Sequence, residues 1–77
     1  MSHKPARYEI RIEGHLAAHR LQAFEGLAVT HLPHGDTELM GRFTDQSALY
    51  GLLNWLQDLG TPLVSVRRLQ GTDEDDG

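Results

Sequence analysis

A stripe of leucines in the second half of the chain constrains its fold more than any other feature. Four leucines recur at the spacing of one face of an α-helix, and the stripe consists of Leu49, Leu52, Leu53 and Leu56. Thr44 or Asp45 supplies an N-cap oxygen before it, and Gly60 and Pro62 follow it with residues that end helices. We therefore predict an amphipathic helix that buries its leucines against a second layer.

That second layer is predicted from residues that alternate between apolar and polar. Tyr8, Ile10 and Ile12 alternate with charged residues and indicate a strand with one buried face. Residues 27–32 are rich in β-branched and aliphatic side chains, and residues 33–36 contain proline and glycine in turn chemistry. The chain therefore holds a first strand and, later, a hairpin.

The remaining elements complete the pattern. Leu39, Gly41 and Phe43 mark one face of a third strand, and residues 63–69 read as a fourth. Ala17, Leu21 and Phe24 lie at helical spacing, which predicts a first helix over residues 16–25. The order β-α-β-β-α-β is that of an α+β, ferredoxin-like βαββαβ fold, a four-stranded antiparallel sheet with two helices on one face.

Charge divides the chain into two parts. The net charge is −4 over 77 residues, and the four acids Asp73, Glu74, Asp75 and Asp76 near the C-terminus account for all of it. We expect residues 1–69 to form a single neutral domain and residues 70–77 to be an acidic, disordered tail. No cysteine is present, which excludes disulfides and cysteine-based zinc sites. Without an apolar run of about 18 residues or a signal-peptide pattern, we expect a cytoplasmic protein with no membrane partner.

The segment Leu52 to Gly60, followed by Pro62-Leu63-Val64-Ser65-Val66, resembles the last helix and strand of ACT-type regulatory domains. Along nearly its whole body, the chain is also similar to short stand-alone bacterial proteins of unknown function. The blocks that carry this similarity are Gly14-His15-Leu16, Phe24-Glu25-Gly26-Leu27 and Asp45-Gln46 with Ala48-Leu49. The resemblance implies the ferredoxin-like fold. Because His15-Leu16-Ala17-Ala18 stands where ACT domains have their ligand-binding Pro-Gly loop, it implies no amino-acid site.

Histidines form the one set of candidate ligands. The set consists of His15, His19, His31 and His34. His15 and His19 are four residues apart, and the predicted topology brings His15 and the hairpin to the same end of the sheet. Imidazoles from the two segments are the ligands of a candidate zinc, copper or nickel site, although the third strand holds the two segments about 10 Å apart.

Other classes of function have weaker support. No serine lies in a nucleophile motif, and Glu9 and Glu13 share a face with Arg11, which favours ion pairs over a carboxylate dyad. We therefore expect no enzyme and no cofactor. The predicted open sheet face has no aromatic residue on its first strand for stacking on bases, so we expect no nucleic-acid partner.

The function that remains is interaction with proteins. A small domain with one uncovered sheet face and two edge strands gains stability by burying them. We expect a non-catalytic regulatory or protein-binding module that is a homodimer, formed through the open sheet face or an edge strand, with an unidentified protein as a further partner. The alternative is a sensor of a small ligand or metal that uses His15, His19, His31 and His34.

Overall fold

A four-stranded antiparallel sheet forms the body of the protein in the computed structural model, which describes residues 5–24 and 26–69. The strands are β1 (Ala6–Ile12), β2 (Ala28–His31), β3 (Thr37–Phe43) and β4 (Leu63–Leu69). Their order across the sheet is β2-β3-β1-β4, so β3 lies between the first two strands, as the predicted topology required. The sheet therefore has β2 at one edge and β4 at the other.

One α-helix, α1 (Gln46–Asp58), packs on one side of this sheet. Its Leu49, Leu52 and Leu56 are buried, as the leucine stripe predicts, and they join the aliphatic residues of β1 and β3 in the core. Of the two candidate N-caps, Asp45 makes the bond, since its Oδ1 accepts from the Ala48 amide at 3.0 Å.

The C-terminal end of α1 is closed by glycine. The amide of Gly60 donates to the Gln57 carbonyl at 2.9 Å, and the amide of Thr61 donates to the Leu56 carbonyl at 3.1 Å. This pair of bonds is the Schellman arrangement, and it needs a residue with positive φ at Gly60, where φ is 79°. Glycine adopts that conformation without strain.

The predicted first helix does not form, so the ferredoxin-like and ACT-like expectation is wrong. In place of an α-helix over residues 16–25, the described part of that segment holds a single four-residue 3-10 helix, Ala18–Leu21. The described residues thus form one α-helix, between β3 and β4, where βαββαβ requires two.

Tertiary hydrogen bonds explain why the first helix is lost. The Leu16 amide donates to the Thr37 hydroxyl at 3.1 Å, and the Leu16 carbonyl lies 3.0 Å from Nε2 of His31. In an α-helix over residues 16–25 the Leu16 carbonyl would accept from the Arg20 amide, but here it faces the His31 ring. Ala17 at the N-cap has no side-chain oxygen to cap a helix, and the Arg20 amide donates to the Ala17 carbonyl at 3.0 Å, the shorter 3-10 spacing.

A bulge changes which face the start of β4 presents. The register between β1 and β4 shifts between Arg11 and Ile12, so that Leu63 pairs with the buried Ile12. Simple alternation along β4 places Leu63 on the same face as Ser65 and Arg67. In the structure Leu63 lies on the helix side, where it lines a cavity with residues of α1.

The expected acidic tail, residues 70–77, lies outside the described residues. Within the described residues, no helix is long and apolar enough to span a membrane.

Candidate functional site

Two of the four candidate histidines come together beside the first turn after β1. The rings of His15 and His31 stack with their centroids 4.1 Å apart and their planes at 24°. His31 is held by its contact with the Leu16 carbonyl oxygen, and the Thr37 hydroxyl holds the Leu16 amide. The pair is thus built by β2 and by the extended segment that replaces the start of a helix.

The structure does not assemble a metal site from the four histidines. In residues 5–24 and 26–69, no three His, Asp or Glu side chains gather in an arrangement that could hold a metal ion. His19 lies on the 3-10 helix and His34 in the turn between β2 and β3, and neither joins the stacked pair in such a group. Two stacked imidazoles offer too few ligands for the tetrahedral zinc centre considered from the sequence.

The β4 edge carries the most exposed apolar side chains of the sheet. Leu63 is 51% exposed and Val64 is 49% exposed. Beside them, an apolar cavity of about 290 Å³ opens between the strand and the helix, and its lining residues are Leu53, Leu56, Gln57, Thr61 and Leu63. The unpaired edge of β4 therefore lies beside an apolar cavity.

The sheet face turned away from α1 is charged. Register places four arginines and two glutamates on it, namely Arg7, Arg11, Arg42, Arg67, Glu9 and Glu38. Glu9 Oε1 pairs with Arg67 Nε at 3.3 Å, and Glu38 Oε2 pairs with Arg11 Nη2 at 3.6 Å. This open face is therefore net positive, although residues 1–69 as a whole are formally neutral.

The two glutamates of this face also act on each other. A hydrogen bond with the Glu9 carboxyl group, burial, and the negative charge of Glu9 all raise the pKa of Glu38 above its ordinary value of 4.5. The charge of Arg11 and its hydrogen bond lower the pKa of Glu38, but by less than these causes raise it. Protonation of Glu38 is therefore easier in the folded chain than in the unfolded chain, first because of the hydrogen bond with Glu9 and then because of burial and the Glu9 charge.

Sequence reasoning did not single out Arg7 and Arg42. Arg7 is in phase with Glu9 and Arg11 on the first strand, and Arg42 is out of phase with the buried Leu39 and Phe43. Those phases assign each arginine to the open face. Only the register between β1 and β3 shows that the two residues lie directly opposite each other.

Comparison with known proteins agrees with a small domain whose activity is not described. Neither the curated proteins nor the solved structures gave a match to this chain. Residues 7–67 match a protein family, and that match spans all four strands and the helix almost completely. The chain therefore belongs to the family described as a domain of unknown function (DUF8691).

Proposed function

We propose that this protein is a non-catalytic interaction module that forms a homodimer through the β4 edge. The observation that carries the proposal is the seven-residue unpaired edge of β4, with half-exposed Leu63 and Val64 beside the cavity against α1. A second β4 strand would satisfy the edge amides and carbonyls and cover the apolar side chains together. The proposal includes the cytoplasmic location expected from the sequence.

The two edges of the sheet differ in what they can accept. β2 has four residues, and a turn that contains Pro33 follows it closely. Short edge strands near proline are a common protection against pairing. β4 contains no proline or lysine, and beyond its bulge at Val64 the five residues 65–69 still offer the longer regular template.

The arginines of β4 limit the antiparallel registers that two β4 strands can adopt. If Val66 meets its own copy across a two-fold axis, Ser65 faces Arg67 and Val64 faces Arg68 in the neighbouring strand. No arginine of β4 then lies opposite another arginine. Since like charges directly opposite each other destabilise a sheet, we expect a register of this kind and not one centred on Arg67 or Arg68.

Of the two dimer interfaces expected from the sequence, the open sheet face is less favourable than an edge strand. A face-to-face dimer would bring together two surfaces that each carry four arginines and two glutamates. Such a contact desolvates two arginines for each available carboxylate, which costs free energy. The β4 edge has apolar side chains and backbone groups to bury instead.

Light scattering coupled to gel filtration tests the dimer across a dilution series from high to low micromolar protein. We expect a mass of twice the 8.6 kDa chain at high concentration. Val64→Lys should give the mass of one chain, because a buried ammonium group in the pair is costly. The matched control is Thr30→Lys, an exposed position on the opposite edge strand, which should leave the mass doubled.

Hydrogen exchange supplies a second readout that does not depend on a variant folding well. Amides of the β4 edge should exchange more slowly as protein concentration rises, while those of β2 should not change. A single-chain mass at every concentration for the unaltered protein would refute the dimer. A dimer that survives Val64→Lys with unchanged β4 exchange would refute the β4 interface.

A further inference from the structure

Two arginines lie directly opposite each other on the open face. Register pairs Arg7 of β1 with Arg42 of β3, and both side chains are exposed. Directly opposed like charges are destabilising in a sheet. The Arg7 guanidinium contacts the Met40 sulfur at 3.9 Å, so among the described residues it rests on a weak acceptor. This cross-strand pair therefore places two positive charges in adjacent strands.

The two carboxylates of the same face are already engaged. Glu9 pairs with Arg67 and Glu38 pairs with Arg11, and the two acids also interact with each other. Within residues 5–24 and 26–69, no ion pair is formed by Arg7 or Arg42. The register therefore presents two directly opposed arginines to an anion from elsewhere.

The chain itself carries suitable anions close to this point. Leu69, the last residue of β4, pairs with Arg7 in the register between β1 and β4. Asp73, Glu74, Asp75 and Asp76 follow within seven residues of Leu69. From Leu69 across β1 to β3 is about 10 Å at normal strand spacing, and four extended residues span about 13 Å.

We propose that the Arg7–Arg42 pair is a binding site for a carboxylate-rich peptide segment, and that residues 73–76 of this chain are its occupant. Guanidinium groups bind carboxylates through paired, charge-assisted hydrogen bonds. The covalent link gives the acids a high local concentration, of the order of millimolar for a short tether, so weak pairs suffice to fill the site.

Nucleic acid fits the face less well than carboxylates do. Its described side chains include arginines, glutamates, Met40 and Leu69 but no aromatic ring on which a base could stack. The two glutamates would also repel a phosphate backbone. An acidic partner would therefore compete with residues 73–76 for the Arg7–Arg42 site.

A nitroxide label gives a direct test in the full chain. Because the sequence has no cysteine, Gly77→Cys can be labelled uniquely. In low salt we expect strong broadening of the Met40 methyl signal and of the Nε–H signals of Arg7 and Arg42. The broadening should fall several-fold in about 0.5 M NaCl, because salt screens exposed charge pairs.

Charge variants separate binding from mere proximity of the label. Arg7→Gln with Arg42→Gln should reduce the broadening of Met40 several-fold, and so should replacing the four acids by their amides. The matched control is Arg20→Gln with Arg68→Gln, two exposed arginines outside the open face, which should leave it unchanged. Weak broadening in low salt, or broadening that the Arg7 and Arg42 variant retains, would overturn the proposal.

Mixed samples of the Val64→Lys protein, which we expect to be a single chain in solution, identify the occupant, because a β4 dimer would by itself bring a partner's label near the sheet. Broadening in isotope-labelled protein that carries no nitroxide, caused by an added nitroxide-labelled copy, would assign the site to a second chain and overturn the intramolecular assignment. An oligothymidylate that shifts the same arginine signals, with weak broadening from the label, would assign the face to nucleic acid. Neither result bears on the β4 dimer, whose test is the mass in solution.

Discussion

The Thr37 hydroxyl donates a hydrogen bond of 2.7 Å to the Gly14 carbonyl, and its oxygen accepts one of 3.1 Å from the Leu16 amide. Thr37 is fully buried at the start of β3. One hydroxyl group therefore satisfies two backbone groups of the segment that links β1 to the 3-10 helix. It thereby fixes the backbone on both sides of His15 against the start of β3.

Thr37→Val should lower the free energy of unfolding by about 1–3 kcal/mol, because the valine keeps the shape but leaves a buried amide and carbonyl without this partner. Chemical denaturation measures the change. Thr30→Val, on the exposed face of β2, is the matched control and should change stability by less than about 0.5 kcal/mol. Equal effects of the two substitutions would contradict the role assigned to Thr37.

Gly41→Ala should destabilise the fold by about 1–3 kcal/mol through overpacking. A Cβ at Gly41 would lie 2.6 Å from Cδ2 of Leu27 and 3.2 Å from the carbonyl oxygen of Gly26. In the matched control, Gly51→Ala, the Cβ meets nothing within 4 Å on α1. That control should stabilise the protein by about 0.5–1 kcal/mol, since alanine favours helix over glycine.

The contact with Leu27 can be tested separately by a double variant. If the side chain of Leu27 causes the cost of Gly41→Ala, adding Leu27→Ala should destabilise the Gly41→Ala protein less than it destabilises the unaltered one. Thermal or chemical unfolding of the four proteins gives this coupling energy. Additive effects would show that another contact limits the space at Gly41.

Asp45→Ala should lower the free energy of unfolding by about 0.5–2 kcal/mol, because the N-cap bond to the Ala48 amide is lost. Asp58→Asn is the matched control at the other end of α1. It removes an acid from the negative end of the helix dipole and should stabilise the protein by a few tenths of a kcal/mol. Circular dichroism during denaturation measures both, and a gain of stability with Asp45→Ala would contradict the cap.

Glu38→Gln should change how stability depends on pH. Because the pKa of Glu38 is raised in the folded state, the folded chain binds more protons than the unfolded chain between pH 4.5 and that raised pKa. The contribution of Glu38 to the free energy of unfolding is fully present below pH 4.5, and it is lost as pH rises from 4.5 through the raised pKa. The stability of Glu38→Gln relative to the unaltered protein should therefore improve from acid to neutral pH.

Denaturation at a series of pH values measures this difference. Glu13→Gln, an exposed acid just after β1, is the control, and its difference from the unaltered protein should stay nearly constant. A Glu38→Gln difference that worsens toward neutral pH would mean that the ion pair with Arg11 outweighs the interaction with Glu9.

Patterns local in sequence determined most of the secondary structure. The leucine stripe, the Asp45 cap and the closing Gly60 each act within one or two turns, so α1 can be read from its own residues. The alternation of Tyr8, Ile10 and Ile12 likewise marks the side of β1 that faces the core. The spacing of apolar residues and the capping residues are enough to predict an element that is stabilised by its own backbone and one buried face.

Tertiary structure decided the rest, because partners distant in sequence compete with local preference. His31 and Thr37 bond to the backbone at Leu16 and prevent the helix that the apolar spacing of residues 16–25 predicts. Strand register, which no local pattern contains, sets Arg7 opposite Arg42, and the β4 bulge turns Leu63 toward α1. The candidate surfaces of this protein therefore arise where strands meet, which only the assembled sheet defines.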